Sequence, residues 1–278
     1  MQPDRLRQLF KPKSVALFGA SNVEGALGTV ILQNLNSAGF QGEITLVNPK
    51  YEEIDGDTCF PSLEASGREV DLAVIVAPAK VVPHIIEDCG ESGVGAAIVV
   101  SANFSEAGPK GATLEKEMLR RARRYGIRIL GPNCLGVIRS DIGLNATFSA
   151  GNALPGRIAV ISQSGALCTA ILDWAQDHDV GFSSLISTGI GADVDFGEIL
   201  DFVAMDPGTD SIMLYIEGLK DSRRFMSALR AAARTKPVVI MKSGRHEQGS
   251  KAAVSHTGAL VGSDAVSYTH LTLPTTPY

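Results

Sequence analysis

The sequence predicts an α/β protein that consists of two successive domains, each built on a parallel β-sheet. Short runs that are apolar throughout alternate with segments of helical periodicity, as expected for strands that helices cover on both faces. The alternation is interrupted between about residues 131 and 156 and then resumes. With 278 residues the chain is long enough for two domains of ordinary size, which are predicted at 1–130 and 131–266.

Five strands and three helices are predicted in the first domain. The first strand, 14–18, is followed by a glycine-rich turn from Gly19 to Gly28 and by a helix that ends near Gly39. The other predicted strands are 43–47, 71–76, 95–100 and 127–130, and the other helices are 80–91 and about 111–125.

The carboxyl ends of these strands form the predicted ligand-binding edge, because ligands of parallel sheets collect there. A glycine-rich turn before a helix can direct backbone N–H groups at a phosphate. The spacing departs from GxGxxG, so a plain tight turn is the alternative interpretation of this segment. The residues predicted to bind a ligand at this edge are Gly19, Ala20, Ser21, Asn22, Lys50, Pro78, Asn103 and Phe104.

The second domain repeats the pattern, with strands predicted at 157–161, 182–187, 211–216 and 237–241 and helices at about 166–177, 194–204 and 221–233. The turn formed by Ser162, Gln163, Ser164 and Gly165 opens the first of these helices. Free N–H groups and hydroxyls at a helix start suit an anion, although an ordinary N-cap is the simpler interpretation of this turn alone. Glu217 closes the strand 211–216, so its carboxylate is expected at the same edge.

His256 is the predicted reactive group of this domain. It lies in the small-residue, glycine-flanked segment 251–262, where other groups can approach the imidazole closely. Imidazole is nucleophilic near neutral pH, and a carboxylate such as Glu217 can orient it for phosphoryl transfer through phosphohistidine. A loop histidine hydrated by water is the alternative. The other histidines are His84 and His178 in predicted helices, His246 after a strand, and His270 near the end of the chain.

Composition excludes several other classes of protein. A formal charge of −5 favours neither nucleic acid nor an anionic membrane as a partner. Four scattered cysteines without a CxxC pair argue against a zinc site or a disulfide framework, so no metal site is predicted and a reducing, cytoplasmic location is expected. The sequence contains no GxSxG nucleophile elbow, no Walker A lysine motif, no apolar run of 18 residues and no signal peptide at its start.

The last segment, 267–278, differs from the rest of the chain. It combines two prolines with several threonines and shows no helical period. It resembles read-through into a sequencing adaptor, so it is predicted to be non-native and His270 is set aside with it. A natural protein that continues beyond residue 266 is then expected.

Five motifs in a fixed order resemble the NDP-forming acyl-CoA synthetase superfamily, which includes ADP-forming acetate–CoA ligases and the alpha subunit of succinyl-CoA synthetase. The resemblance covers about residues 8–266, and the order of its motifs is far more specific than any one of them. The motifs are Gly19-Ala-Ser21, Gly131-Pro-Asn-Cys-Leu-Gly136, Ile161-Ser-Gln-Ser-Gly-Ala-Leu167, Ile216-Glu-Gly218 and Ser255-His-Thr-Gly-Ala-Leu260.

The resemblance implies a Rossmann-like domain that binds CoA, to which Asn133 and Cys134 would contribute, followed by a flavodoxin-like domain. It implies that His256 is phosphorylated, that Glu217 steadies it, and that the turn at Ser162 is one of two helix N-termini holding the phosphate. The implied reaction interconverts acyl-CoA, phosphate and ADP with a carboxylic acid, CoA and ATP through acyl phosphate. ATP or ADP with magnesium would bind to an ATP-grasp subunit or fused domain, and an oligomer is expected.

Two alternatives stay open at this point. Some long bacterial members of the superfamily also carry a GNAT domain, and the chain would then be the CoA-sensing region of a protein lysine acetyltransferase. A stand-alone CoA-binding regulator is the third possibility, although it would need no phosphohistidine. Thr169 stands where the succinyl-CoA synthetases have a tyrosine, which argues against succinate as the acid.

Overall fold

The computed structural model describes residues 4–243 and contains two β-sheets, one of seven strands and one of six, with helices packed against them. The predicted α/β class is confirmed. None of the helices among residues 4–243 is both long enough and apolar enough to cross a membrane.

The seven-stranded sheet forms the first half of the described chain, and its strand order is β3-β4-β2-β1-β5-β6-β7. The strands are β1 (Ser14–Phe18), β2 (Glu43–Val47), β3 (Glu53–Ile54), β4 (Asp57–Phe60), β5 (Leu72–Ile75), β6 (Ala96–Val99) and β7 (Arg128–Leu130). The helices are α1 (Arg5–Phe10), α2 (Leu27–Ser37), α3 (Leu63–Ser66), α4 (Val82–Glu91) and α5 (Pro109–Tyr125).

Strand β1 shows why the central strands of this sheet are largely apolar. Its side chains alternate between the two faces, with Val15 and Leu17 in one core and Ala16 and Phe18 in another. Both sets are almost completely buried, so neither face could carry a polar residue cheaply. All five predicted strands are present, whereas the short hairpin of β3 and β4 and the helices α1 and α3 were not predicted.

The six-stranded sheet has the order β13-β12-β10-β11-β8-β9. Its strands are β8 (Gly136–Arg139), β9 (Leu144–Thr147), β10 (Pro155–Ser162), β11 (Phe182–Ser187), β12 (Ser211–Ile216) and β13 (Val238–Lys242). Three helices connect the parallel strands: α6 (Gly165–Asp177), α7 (Phe196–Ala204) and α8 (Ser222–Ala232).

The stretch 131–156, where the sequence predicted only an interruption of the alternation, contains two strands. Strands β8 and β9 form an antiparallel hairpin, and β8 also pairs antiparallel with β11, so the second sheet is mixed. Each strand of the hairpin has only four residues, too few to show a clear period, and the turn between them is polar. Every residue of both strands is buried, so packing in the folded protein, and not a local pattern, makes these segments strands.

Polar contacts hold the two halves against each other. Asn34 on α2 donates to the backbone carbonyls of Thr147 and Ser149 at 2.8 and 2.9 Å. At another point Arg128 of β7 forms ion pairs with Asp193 at 2.9 Å and Glu198 at 2.7 Å. One apolar core also includes residues of both halves, so the two sheets form a continuous packed body.

Asp206 is the buried centre of a third such contact. Arg139 and Asp206, with side chains 0% and 2% exposed, form an ion pair at 2.9 Å, and Lys11 of the first half reaches the other carboxylate oxygen at 3.1 Å. Burial alone would raise the pKa of Asp206, but hydrogen bonds and charge from Arg139 and Lys11 outweigh it and lower the pKa below 3.8.

Replacement of Asp206 by asparagine is expected to lower the free energy of unfolding by about 2 kcal/mol, because buried Arg139 then keeps only the partly exposed Asp141 as a counter-charge. Chemical denaturation at pH 7 would measure this loss. The matched control is Asp210→Asn, which breaks the exposed pair with Arg157 and should cost much less. Since a lowered pKa stabilises the ionised fold, the gap between the wild type and Asp206→Asn should shrink as pH falls below 3.8. A gap that stays constant to low pH would contradict this assignment.

Candidate functional site

A cavity of about 640 Å³ opens at the carboxyl ends of β1, β2 and β5, where the sequence predicted ligand binding. Four of the predicted residues line it together: Gly19, Ser21, Lys50 and Pro78. Apolar side chains such as Val81 and Ile85 form much of the rest of its wall. The cavity can therefore hold a flat apolar group with a phosphate near Lys50 and the glycine turn.

Gly19 and Gly28 make the strand-to-helix crossing beside this cavity possible. Gly19 has φ of +91°, and a Cβ there would lie 2.0 Å from the carbonyl oxygen of Val76. A Cβ on Gly28 would lie 2.0 Å from the carbonyl oxygen of Gly19. A side chain at Gly28 would push α2 away from the end of β1, and one at Gly19 would collide with the backbone that follows β5, so these glycines set how closely a ligand can approach the backbone.

Sequence reasoning missed Tyr51, whose hydroxyl lies 3.5 Å from Ser21 Oγ inside the same cavity. Its position directly after Lys50 was the available signal. Two predicted residues of the glycine-rich turn do not line this cavity. Ala20 is completely buried, and Asn22 donates from Nδ2 to the backbone carbonyl of Glu53 at 3.2 Å.

Asn103 and Phe104 were expected at the ligand-binding edge, but neither lines the 640 Å³ cavity. Phe104 is 0% exposed and belongs to the core beneath α5, so its ring faces no cavity. The backbone N–H groups of Asn103 and Phe104 both donate to the carboxylate of Glu106, at 2.7 and 3.0 Å. Strand position suggested these residues, but packing against α5 decided where the side chain of Phe104 lies.

A second cavity of about 420 Å³ lies between the two sheets and is called the interdomain cleft here. Asn133 and Cys134 line it, opposite Gln163 and Gly165 of the predicted phosphate turn. The Cys134 thiol donates to the carbonyl oxygen of Val99 at 3.4 Å, and burial raises its pKa to about 12. The thiol therefore stays protonated at neutral pH and contributes shape rather than nucleophilicity.

The turn that enters α6 is organised by its own hydroxyl groups. Ser162 Oγ accepts from the backbone N–H of Ser164 at 3.0 Å and donates to its carbonyl oxygen at 2.9 Å. Ser164 is the N-cap of α6, and its Oγ accepts from the N–H of Leu167 at 3.2 Å. Gly165 and Ala166 begin the helix, where amides lack intrahelical acceptors, and both line the interdomain cleft. An anion in the cleft could accept from these amides.

The side-chain amide of Gln163 forms hydrogen bonds to the end of β12. Its Oε1 accepts from the backbone N–H groups of Glu217 and Gly218, at 2.5 and 2.9 Å, and its Nε2 donates to the carbonyl oxygen of Gly218 at 2.9 Å. The amide thus joins the phosphate turn to the end of β12. Glu217 follows β12 directly and is only 5% exposed. The hydrogen bonds from Gln163 therefore fix the backbone position from which the buried side chain of Glu217 extends.

Lys220 is a charged residue near this junction that the sequence did not indicate. It lines a small crevice with Gln163, Thr188 and Gly218 at the carboxyl ends of β10, β11 and β12. Desolvation lowers the pKa of Lys220, and the charge of Glu115 partly opposes that effect. His256 and its rival His246 lie outside the described residues, so their placement stays a prediction.

Two protein-family models match the chain in the order that these two sheets follow. A "CoA binding domain" model matches residues 13–140, and a "Succinyl-CoA ligase like flavodoxin domain" model matches residues 155–272. The chain belongs to the NDP-forming acyl-CoA synthetase superfamily. The predicted order, a Rossmann-like CoA-binding domain followed by a flavodoxin-like domain, is thereby confirmed, although the boundaries at residues 130 and 266 remain predictions.

Individual members of the superfamily resemble the chain along most of its length. Acetate–CoA ligase (ADP-forming) I of Archaeoglobus fulgidus is 49% identical over 93% of the chain, and the alpha subunit of the Pyrococcus furiosus acetate–CoA ligase (ADP-forming) I is 44% identical over 94%. The structure of acetyl-coenzyme A synthetase 1 of Ca. Korarchaeum cryptofilum, in complex with phosphate and ADP, superposes with a TM-score of 0.91 at 40% identity over 96% of the chain.

The chain spans only part of each relative. It covers 37% of the A. fulgidus ligase and 57% of both the P. furiosus subunit and the Ca. Korarchaeum chain. These three relatives are ligases or synthetases in name, so they give no support to the acetyltransferase alternative.

Proposed function

We propose that the chain is the CoA-binding and phosphohistidine-bearing portion of an ADP-forming acyl-CoA synthetase. One observation carries the proposal: the start of α6, whose amides are free to bind an anion, faces the CoA-binding half across the interdomain cleft and is joined through Gln163 to the buried Glu217. A thioester from one side and a phosphate from the other can therefore meet in one place. The relatives named for acetate and ADP support the same chemistry.

The proposed reaction has three reversible steps. A phosphate oxygen attacks the thioester carbonyl, the C–S bond breaks, and acyl phosphate and the CoA thiolate, which takes up a proton, are formed. A ring nitrogen of His256 then attacks phosphorus, and the bond from phosphorus to the acyl oxygen breaks to release the carboxylate. Finally the phosphoryl group passes from His256 to ADP. The amides that begin α6 offset the negative charge of the phosphoryl group during the first two steps.

The remaining parts of the reaction belong to a partner. An ATP-grasp subunit or a fused domain would bind ADP or ATP together with magnesium, and the alpha subunit from P. furiosus supports an arrangement with a separate partner subunit. Mixing the chain with an ATP-grasp subunit of the family should produce ATP from acetyl-CoA, phosphate and ADP. If the complex forms but produces no ATP with any of several acyl-CoA substrates, the proposed function is wrong.

CoA binding by the 278-residue chain is the directly testable part of this function. Calorimetry should detect CoA binding, and Lys50→Met should weaken it about tenfold, because the cavity then loses a charge-assisted contact with a phosphate of the ligand. Lys110→Met, which changes an exposed lysine on α5 outside the cavity, is the matched control and should bind CoA normally. NAD binding as tight as that of CoA would point instead to a dinucleotide enzyme.

A further inference from the structure

We propose that Phe148 limits the size of the acyl group that the interdomain cleft accepts, and thereby determines substrate specificity. The proposal rests on the proposed function, because it requires the thioester to react at the start of α6. Phe148 lies in the cleft lining together with Gly165 and Ala166, which begin that helix. An acyl group attached to the reacting carbonyl must therefore extend into the space that Phe148 bounds.

The lining of the cleft suits an apolar acyl group. Leu27 and Phe148, 44% and 36% exposed, present free apolar surface, and Leu135 and Ile190 add to the wall. None of the residues that line the cleft within the described part of the chain is charged. A second carboxylate, as in a dicarboxylic acid, would lose its hydration there without gaining a cationic partner.

The backbone on both sides of Phe148 is fixed by a residue of the other domain. Phe148 follows the last residue of β9, and Asn34 Nδ2 donates to the carbonyl oxygens of Thr147 and Ser149 at 2.8 and 2.9 Å. Asn34 is 6% exposed, so water competes little for these hydrogen bonds. The clamp holds the chain at the residues immediately before and after the aromatic ring.

A hydrogen-bond network of the residues on both sides of Phe148 strengthens this clamp. Thr147 Oγ1 donates to Asn145 Oδ1 at 2.6 Å and lies 2.7 Å from Ser149 Oγ, and all three side chains are buried. Asn145 Nδ2 in turn donates to Asn152 Oδ1 at 2.7 Å. A backbone anchored in this way holds the Cα of Phe148 at a fixed point of the cleft, so the volume of the side chain at position 148 sets how much space remains for the acyl group.

The size of the side chain at position 148 should then set which acyl-CoA binds. Calorimetry would compare acetyl-CoA with phenylacetyl-CoA on the 278-residue chain, on Phe148→Ala and on Phe148→Trp. The ratio of the two dissociation constants should shift by about tenfold in favour of phenylacetyl-CoA in Phe148→Ala, and in the opposite direction in Phe148→Trp. Leu154→Ala, a residue of similar exposure (39%) outside the cleft, should leave the ratio unchanged.

The outcomes separate this inference from the function on which it rests. A ratio that stays the same in both Phe148 variants, while CoA itself still binds, would overturn the role of Phe148 and leave the proposed function intact. Tighter binding of succinyl-CoA than of acetyl-CoA to the wild type would overturn the apolar assignment of the cleft. Failure of the wild type to bind CoA or any acyl-CoA would overturn the proposed function, and the role of Phe148 with it.

Discussion

Replacement of His256 by alanine is expected to abolish phosphorylation of the chain. Phosphoryl transfer to histidine needs an uncharged ring nitrogen aimed at phosphorus, while the other nitrogen is held by an acceptor. Glu217 is buried directly after β12 and its backbone N–H donates to Gln163 of the turn at Ser162, so we expect its carboxylate to be that acceptor. Glu217→Gln should therefore slow phosphorylation about a hundredfold without removing the acceptor histidine.

The measurement supplies an ATP-grasp subunit of the family and ATP labelled on its γ-phosphate, and then follows label bound to the chain. Phosphohistidine is recognised by its loss in acid and its persistence in base. His246→Ala is the matched control, because His246 also follows the last predicted strand and should be dispensable. Label that persists in His256→Ala, or that disappears in His246→Ala, would show that the wrong histidine was assigned.

The central parallel strands could be predicted because burial on both faces makes them apolar, as in β1 and β5. The hairpin of β8 and β9 could not, since strands of four residues show too little of a period and their burial depends on β11. Phe104 shows a second limit. It follows a strand, as the sequence indicates, but its side chain packs into the core and does not reach the ligand-binding edge.

The site was predictable to the extent that it depends on strand ends. The glycine turn, Lys50, Pro78 and the turn at Ser162 all follow strands, and the structure places each of them beside a cavity. The partners of Gln163 were not predictable, because they are backbone groups 54 and 55 residues away in the sequence. Contacts of this kind depend on how β10 and β12 are aligned, and no local pattern encodes them.

Gln163 itself is expected to be a positioning residue whose loss impairs phosphoryl transfer more than it impairs folding. Gln163→Met keeps the volume of the side chain but removes the acceptor of two backbone N–H groups and the donor to Gly218. An unsatisfied buried N–H costs about 1–3 kcal/mol, so the end of β12 should shift to find other partners. The side chain of Glu217 extends from this backbone. A backbone displacement of about 1 Å would therefore misplace its carboxylate and slow phosphoryl transfer about a hundredfold.

The test compares the rate of His256 phosphorylation with two properties that a purely structural role would alter equally, the affinity for CoA and the thermal midpoint. In Gln163→Met the phosphorylation rate should fall about a hundredfold, while CoA affinity stays within about twofold, because the 640 Å³ cavity lies on the other sheet. Gln176→Met, which removes an exposed amide bonded to the carbonyl oxygen of Asn152, is the matched control and should phosphorylate normally. If Gln163→Met loses CoA affinity and phosphorylation in the same proportion, the residue supports the fold as a whole and does not position Glu217.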